Sequence, residues 1–383
     1  MKRLLFIITI LGTLCATFSG CTEDDTTPVT PGGNNNEKPD NKPVTPNDSL
    51  PPIAIGDIAL GADISWLTEM EDEGCTFYSA DGKESECTAL LKDLGLNAIR
   101  LSVLVNPADG YCNKEDVLKK ALRAKELDMK LMIAFHYSDT HATVDNHNLP
   151  LEWTYQTDST TVCNNVQSHT REVLETLAEN GISPEWVQIG NEVTYGLLSP
   201  VGSISNSPKM YSALIDAGCK AAKEICPQAK TIVHLTEGYD MGLFKWNLDI
   251  LKADSIGYDM VGISIYPYLT QNKSWTNPQN GASQTIGTVE DAITATFDNC
   301  KFVWEKYKKQ TIIVETAMKA DYPEGGKKFL SQMLNEVSNS LYCKGVFYYE
   351  PQAHYGWNGY KYGAFNQDGT PSDIMDAYKN RQK

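Results

Sequence analysis

The sequence predicts an α/β chain folded as one TIM (β/α)8 barrel, and two observations carry that expectation. From about residue 53 onward, short apolar runs rich in β-formers alternate with amphipathic helical stretches. Such alternation implies parallel strands joined by right-handed crossovers. Eight units over about 320 residues suit a barrel slightly enlarged by loops. The second observation is that the apolar runs end in polar or aromatic residues, which core packing alone would not arrange.

The eight strands are expected at Ile58–Ile64, Ala98–Val103, Lys130–His136, Trp186–Gly190, Thr231–Leu235, Met260–Ile265, Thr311–Glu315 and Gly345–Tyr349. Between them lie helical patterns such as "NKEDVLKKALRAKELD" and "PKMYSALIDAGCKAAKEIC", with apolar residues every three to four positions. No tandem repeat interrupts the series.

Residues 1–20 are expected to be a signal peptide. Two basic residues, an apolar run and then small residues precede Cys21. The ending Phe18-Ser19-Gly20-Cys21 resembles a bacterial lipobox, so Cys21 is expected to be lipidated. The following "TEDD" resembles the tags that send lipoproteins to the cell surface, which implies an outer-membrane lipoprotein, with the periplasmic face as the alternative. Residues 21–52, rich in Pro, Asn and Thr, cannot bury enough surface to fold and should form a tether. The folded domain is expected over 53–383.

The net charge of -16 speaks against a nucleic-acid partner and is compatible with a neutral substrate. No internal run is long enough to span a bilayer. Eight cysteines remain after Cys15 and Cys21, none with metal-ligand spacing, so no zinc is expected. Cys75 and Cys87 could close a short disulfide loop in an exported protein, or remain buried thiols.

In a barrel of this kind the active site lies at the C-terminal strand ends. These are Asp63, Arg100, His136, Asn191 with Glu192, His234, Tyr266, Glu315, and Tyr349 with Glu350. Glu192 ends the fourth strand and Glu315 the seventh, so they should face each other across the mouth. Two carboxylates there suit glycoside hydrolysis, one protonating the leaving oxygen and the other attacking the anomeric carbon. Their surroundings must split the two pKa values, and Arg100 and Tyr266 are candidates for keeping one ionised. A lone strand-end Glu is as readily half of a structural ion pair. Two of them, with Asn191 beside one, point to chemistry.

"GNE" (190–192) and "VET" (314–316) resemble the clan of retaining barrel glycosidases with this strand-4/strand-7 arrangement. "FHYSDT" (135–140) and "GNEVTYGLL" (190–198), with "GADIS", "NAIRLSVLVNP", "GISIYPY" and "GVFYYEP" in order along the chain, resemble glycoside hydrolase family 53, the endo-β-1,4-galactanases. The resemblance implies hydrolysis of β-1,4-galactan, the pectin side chain, with retention. It implies Glu192 as acid/base, Glu315 as nucleophile and Asn191 on the sugar 2-hydroxyl. Tyr266 would donate to Glu315 and Arg100 would support its charge. His136 and Asp139 would line the sugar subsites, with His234, Tyr349 and Asp63 nearby.

The chain departs from the family pattern at His141 and Tyr349, where Trp is expected, and at Ser199. Fewer aromatic platforms imply weaker stacking or a shifted cleavage pattern. Trp66, Trp153, Trp275 and Trp357 lie in presumed mouth-side loops and are candidate platforms, Trp357 included among the substrate-binding residues. Trp186, Trp246 and Trp304 are expected in the core, and His169 on a helix surface. Some family members hold calcium in late loops. Here "KADYPEGGKK" (319–328) lacks an acidic ligand-dense motif, so no metal or cofactor is expected. A monomer is expected. The competing readings are another endo-glycosidase of the same clan, of mannanase or xylanase type, and a non-catalytic surface glycan-binding lipoprotein.

Overall fold

The computed structural model describes residues 58–155, 157–379 and 381. The signal segment, Cys21 and the tether lie outside these residues. Eight parallel strands close into a barrel: β1 (Ala59–Asp63), β2 (Ala98–Val103), β3 (Lys130–Phe135), β4 (Trp186–Ile189), β5 (Lys230–Leu235), β6 (Met260–Ile265), β7 (Gln310–Thr316) and β8 (Cys343–Tyr349). Each pairs with its sequence neighbour, and β8 closes onto β1 in continuous register from Ala59–Gly345 to Asp63–Tyr349. Helices between the strands bury their apolar faces on the outside of the barrel; Pro208–Ile225, for example, buries Tyr211, Leu214 and Ile215.

The barrel interior changes character along its axis. A closed strand sends alternate side chains inward. Toward the strand starts, the inward residues Ala59, Ala98, Met132, Trp186, Ile232, Met260, Ile312 and Phe347 form one buried apolar cluster, joined by Val314. Gly61 belongs to this arrangement, because a Cβ at that position would overlap the Phe347 ring. One or two inward steps further along, the interior turns polar. Asp63, Arg100, Gln188, His234 and Ser264 are all buried within the upper barrel.

Two short hairpins ornament the mouth. Gly196–Leu197 pairs with Gly202–Ser203 after β4, and Ser274–Thr276 pairs with Ser283–Thr285 after β6. The eight described cysteines are free. The possible Cys75–Cys87 disulfide is therefore not formed. Cys87 opens the helix Cys87–Asp93 with its side chain in the core, while Cys75 remains partly exposed.

Candidate active site

Two backbone irregularities aim the two glutamates. In β7, Ile312 and Val314 belong to the interior cluster, so strict alternation would turn Glu315 outward. The register against β6 shifts between Ile313 and Glu315, and this bulge swings Glu315 into the mouth. After β4 the chain turns through Gly190 (φ 77°), and Glu192 itself takes a left-handed conformation (φ 49°, ψ 45°). Such strain in a non-glycine residue persists only where the surroundings enforce it. Here His147 Nε2 lies 3.1 Å from the Glu192 carbonyl, and the Val144 amide donates to Glu192 Oε2 at 3.0 Å.

Arg100 is the hub beneath both carboxylates. Its guanidinium is fully buried and reaches four side chains. Nη1 is ion-paired with Asp63, Nε donates to Gln188 Oε1 at 3.1 Å, and Nη2 donates to Asn191 Oδ1 at 2.8 Å. Nη2 also lies 2.9 Å from Glu315 Oε1. The planar fork thus ties β1, β4 and β7 together from β2. Tyr266 donates its hydroxyl to the other Glu315 oxygen at 3.0 Å. Burial and the neighbouring carboxylates hold that phenol far above its usual range, so it remains a donor.

Burial raises the pKa of both glutamates. Glu315 is pushed up to about 7 by desolvation, against the pull of Arg100 and with Glu192 and Asp63 adding to the rise. Glu192 is raised by desolvation, against hydrogen bonds from Ser264, the Val144 amide and Thr236. Two interacting carboxyls in one site share a proton as a pair rather than titrating separately. Glu315 has a cation and a phenol at bonding distance. Glu192 has neither, so when the pair holds a single proton the geometry favours the charge on Glu315.

A Glu192 oxygen, a Glu315 oxygen and a His234 nitrogen lie within 4.8 Å of one another. This donor set is poorly suited to a metal. His234 has Nδ1 2.8 Å from Asn191 Oδ1 and Nε2 2.6 Å from Ser264 Oγ, and Arg100 already answers the Glu315 charge.

Glu192, Glu315, Asn191, His136, Tyr266 and Tyr349 together line one cavity of about 680 Å³. Asn191 donates its amide to the Ala142 carbonyl at 2.9 Å and orients toward this cavity through Arg100 and Gln188. His136 is held by the Ala142 amide on Nδ1, leaving Nε2 to face Ser102 Oγ at 3.1 Å, and burial keeps the ring neutral. Asp139 lines an adjoining hollow of about 670 Å³ with Trp66, where it accepts from the Asn106 and Leu151 amides. His141 lines both hollows and marks where they join.

Other expected contacts fall elsewhere. Asp63, Arg100 and His234 are fully buried behind the cavity wall, so they support the site without forming its surface. Trp357 is only 7% exposed; it packs on Trp66 at 5.4 Å and donates its indole N–H to Glu73. It is a backing residue and not a platform. Trp153 and Trp275 are buried as well, which leaves Trp66 as the expected mouth-side tryptophan that reaches a hollow. His169 is partly buried against Phe135, Tyr137 and Trp153 instead of standing on an open helix surface. Sequence reasoning passed over Gln188, Ser264 and His147. Gln188 and Ser264 could have been found by stepping two residues back along the strand from Gly190 and Tyr266.

A family model described as glycosyl hydrolase family 53 matches residues 59–373. A probable arabinogalactan endo-β-1,4-galactanase A of Aspergillus terreus is 30% identical over 329 residues, covering 79% of this chain and 88% of that protein. A fungal β-1,4-galactanase structure aligns with a TM-score of 0.74 at 25% identity, covering 84% of this chain and 99% of its own. The family 53 catalytic domain of Ignisphaera aggregans has the same fold, with a TM-score of 0.74 at 23% identity over 87% of this chain and 98% of its own.

Proposed function

Because the chain belongs to glycosyl hydrolase family 53, we infer that its two facing carboxyls cleave β-1,4-galactan within the chain and with retention. The protein is an endo-β-1,4-galactanase, a glycoside hydrolase of the same activity as its fungal relatives. The observation that carries the mechanism is the approach of the Glu192 and Glu315 oxygens to within 4.8 Å, with the Arg100 cation on Glu315 alone. Retaining enzymes keep their carboxyls about 5–5.5 Å apart, whereas inverting enzymes leave about 6.5–9.5 Å for a water.

The steps follow from these positions. Glu192 gives its proton to the glycosidic oxygen as the bond from that oxygen to the anomeric carbon breaks. The Glu315 carboxylate forms a bond to that carbon, giving a glycosyl-enzyme. Water then attacks the same carbon, its proton passes to Glu192, and Glu315 leaves as a carboxylate. Asn191 holds the sugar 2-hydroxyl, an interaction that strengthens as positive charge develops. No step calls for a cofactor. The two joined hollows suit an internal stretch of polysaccharide better than a chain end.

The lipobox-like sequence supports an outer-membrane lipoprotein anchored at Cys21 at the cell surface. Cys21→Ser should then release the enzyme to the soluble fraction while leaving turnover of soluble galactan unchanged. A time course on galactan, with the anomer of the first products read by NMR, tests the function itself. Short oligosaccharides from internal cuts, released as the β-anomer, are expected. Activity confined to mannan or xylan, or release of the α-anomer, would overturn it.

A further inference from the structure

The mechanism leaves one wall of the catalytic cavity without a role. Tyr195, Glu237, Leu269 and Lys273 line the same cavity as the two glutamates. They come from the loops that follow β4, β5 and β6. The adjoining hollow with Trp66 and Asp139 is built instead by the loops after β1, β2 and β3. Barrel order therefore sets these two walls on opposite sides of Glu192. An acid/base faces the leaving oxygen, and Tyr195 stands on Glu192's own loop, which favours this wall for the leaving sugar.

The wall has the chemistry to bind a sugar. Tyr195 is 49% exposed and Leu269 57%, an unusual exposure for large apolar side chains beside a buried site. Lys273 Nζ meets Glu237 Oε1 at 2.7 Å, with both side chains still partly open to solvent. An exposed ion pair adds little to stability, so the fold does not account for its position. It offers an acceptor and a donor side by side, suited to neighbouring sugar hydroxyls. The Tyr195 ring offers an apolar face for the C–H side of the same sugar. Glu237 also takes a left-handed conformation (φ 57°), as Glu192 does on the neighbouring strand end. Strain of this kind clusters where side chains are aimed for function.

We propose that Tyr195 and the Glu237–Lys273 pair form the subsite for the leaving sugar, and that this wall determines how well a galactan chain is preferred over a small leaving group. The same wall then holds the acceptor when a sugar replaces water in the second step. The inference rests on the galactanase reading.

The experiment compares galactotetraose with 4-nitrophenyl β-galactobioside, whose leaving group is not a sugar. Tyr195→Ala and Lys273→Met should each lower kcat/KM on the tetraose by tenfold or more. The loss on the aryl substrate should stay within about threefold. Tyr195→Phe, which keeps the ring, should stay within about threefold of wild type on both substrates. Transfer to an added galactobiose acceptor should fall with the tetraose rate. A proportional loss on both substrates would make the wall a structural support and overturn the proposal, as would no loss on the tetraose. Either of those results would leave the galactanase reading standing, whereas wild-type inactivity on galactotetraose and galactan would overturn both.

Discussion

The floor and the mouth of this barrel are built by the same eight strands with the same alternation, yet they obey opposite rules. At the floor, Met132, Trp186, Ile232 and Phe347 fill the interior with apolar surface. A step higher on the same strands, Gln188 and His234 stand within Arg100's network, and Tyr349 opens onto the cavity. The floor gains free energy by removing carbon from water. The mouth buries a guanidinium and several carboxyls, which is tolerated only because each finds a partner. Within the barrel interior, apolar burial is therefore concentrated at one end and the reactive groups at the other.

Substitutions should separate the two ends. The largest effect on activity is expected from Glu315→Ala, with kcat on galactan falling on the order of 10^4-fold or more while the protein stays folded. Near-normal turnover in the folded variant would remove Glu315 from the chemistry. Arg100→Met should damage both properties. It leaves Asp63 and Glu315 buried without their cation, costing about 3–5 kcal/mol by denaturant titration as well as most of the activity. A variant that kept full stability would contradict the hub role.

At the floor, Phe347→Ala should cost about 3–5 kcal/mol but leave kcat per folded molecule within a few-fold of wild type, because no reacting group touches it. A selective loss of turnover at full stability would blur the division. Tyr266→Phe removes one hydrogen bond to Glu315 and should cost about 0.5–1.5 kcal/mol or less in stability, with kcat lowered at least tenfold. An unchanged kcat would mean that Arg100 alone holds the Glu315 charge.

The smallest effect is on pH dependence. The Glu315 pKa is raised in the folded protein, from 4.5 to about 7. Its contribution to stability is therefore fully present below about 4.5 and is lost as pH rises toward about 7. Glu315→Gln removes this titration. The stability of wild type relative to that variant should fall between about pH 4.5 and 7 in chemical denaturation. Parallel curves across that window would show that burial does not disfavour the Glu315 charge.

Much of this was legible in the sequence because strands and their ends are local signals. All eight strands lie where the apolar runs place them, β2 and β6 to the residue, because a barrel strand buried on both faces reads as a short continuous apolar run. Glu192 and Glu315 were legible as polar stops to such runs. The bulge that turns Glu315 inward was not, since periodicity alone sends it outward. Loop aromatics were the least legible. Trp357 and Trp275 have the composition of a sugar platform, yet both lie buried, because packing between loops distant in sequence decides which ring faces the cleft. Gln188 escaped notice because a mid-strand amide looks like an imperfection until Arg100 and Asn191 are seen to need it.

The central claim is the division of labour between the two carboxyls, and azide rescue of the alanine variants tests it most directly. With an activated aryl β-galactoside, Glu315→Ala should accept azide in the vacated space and yield the inverted α-galactosyl azide. Glu192→Ala should still form its glycosyl-enzyme and yield the retained β-galactosyl azide. The same configuration from both variants, or the two configurations exchanged, would contradict the assignment of Glu192 as acid/base and Glu315 as nucleophile.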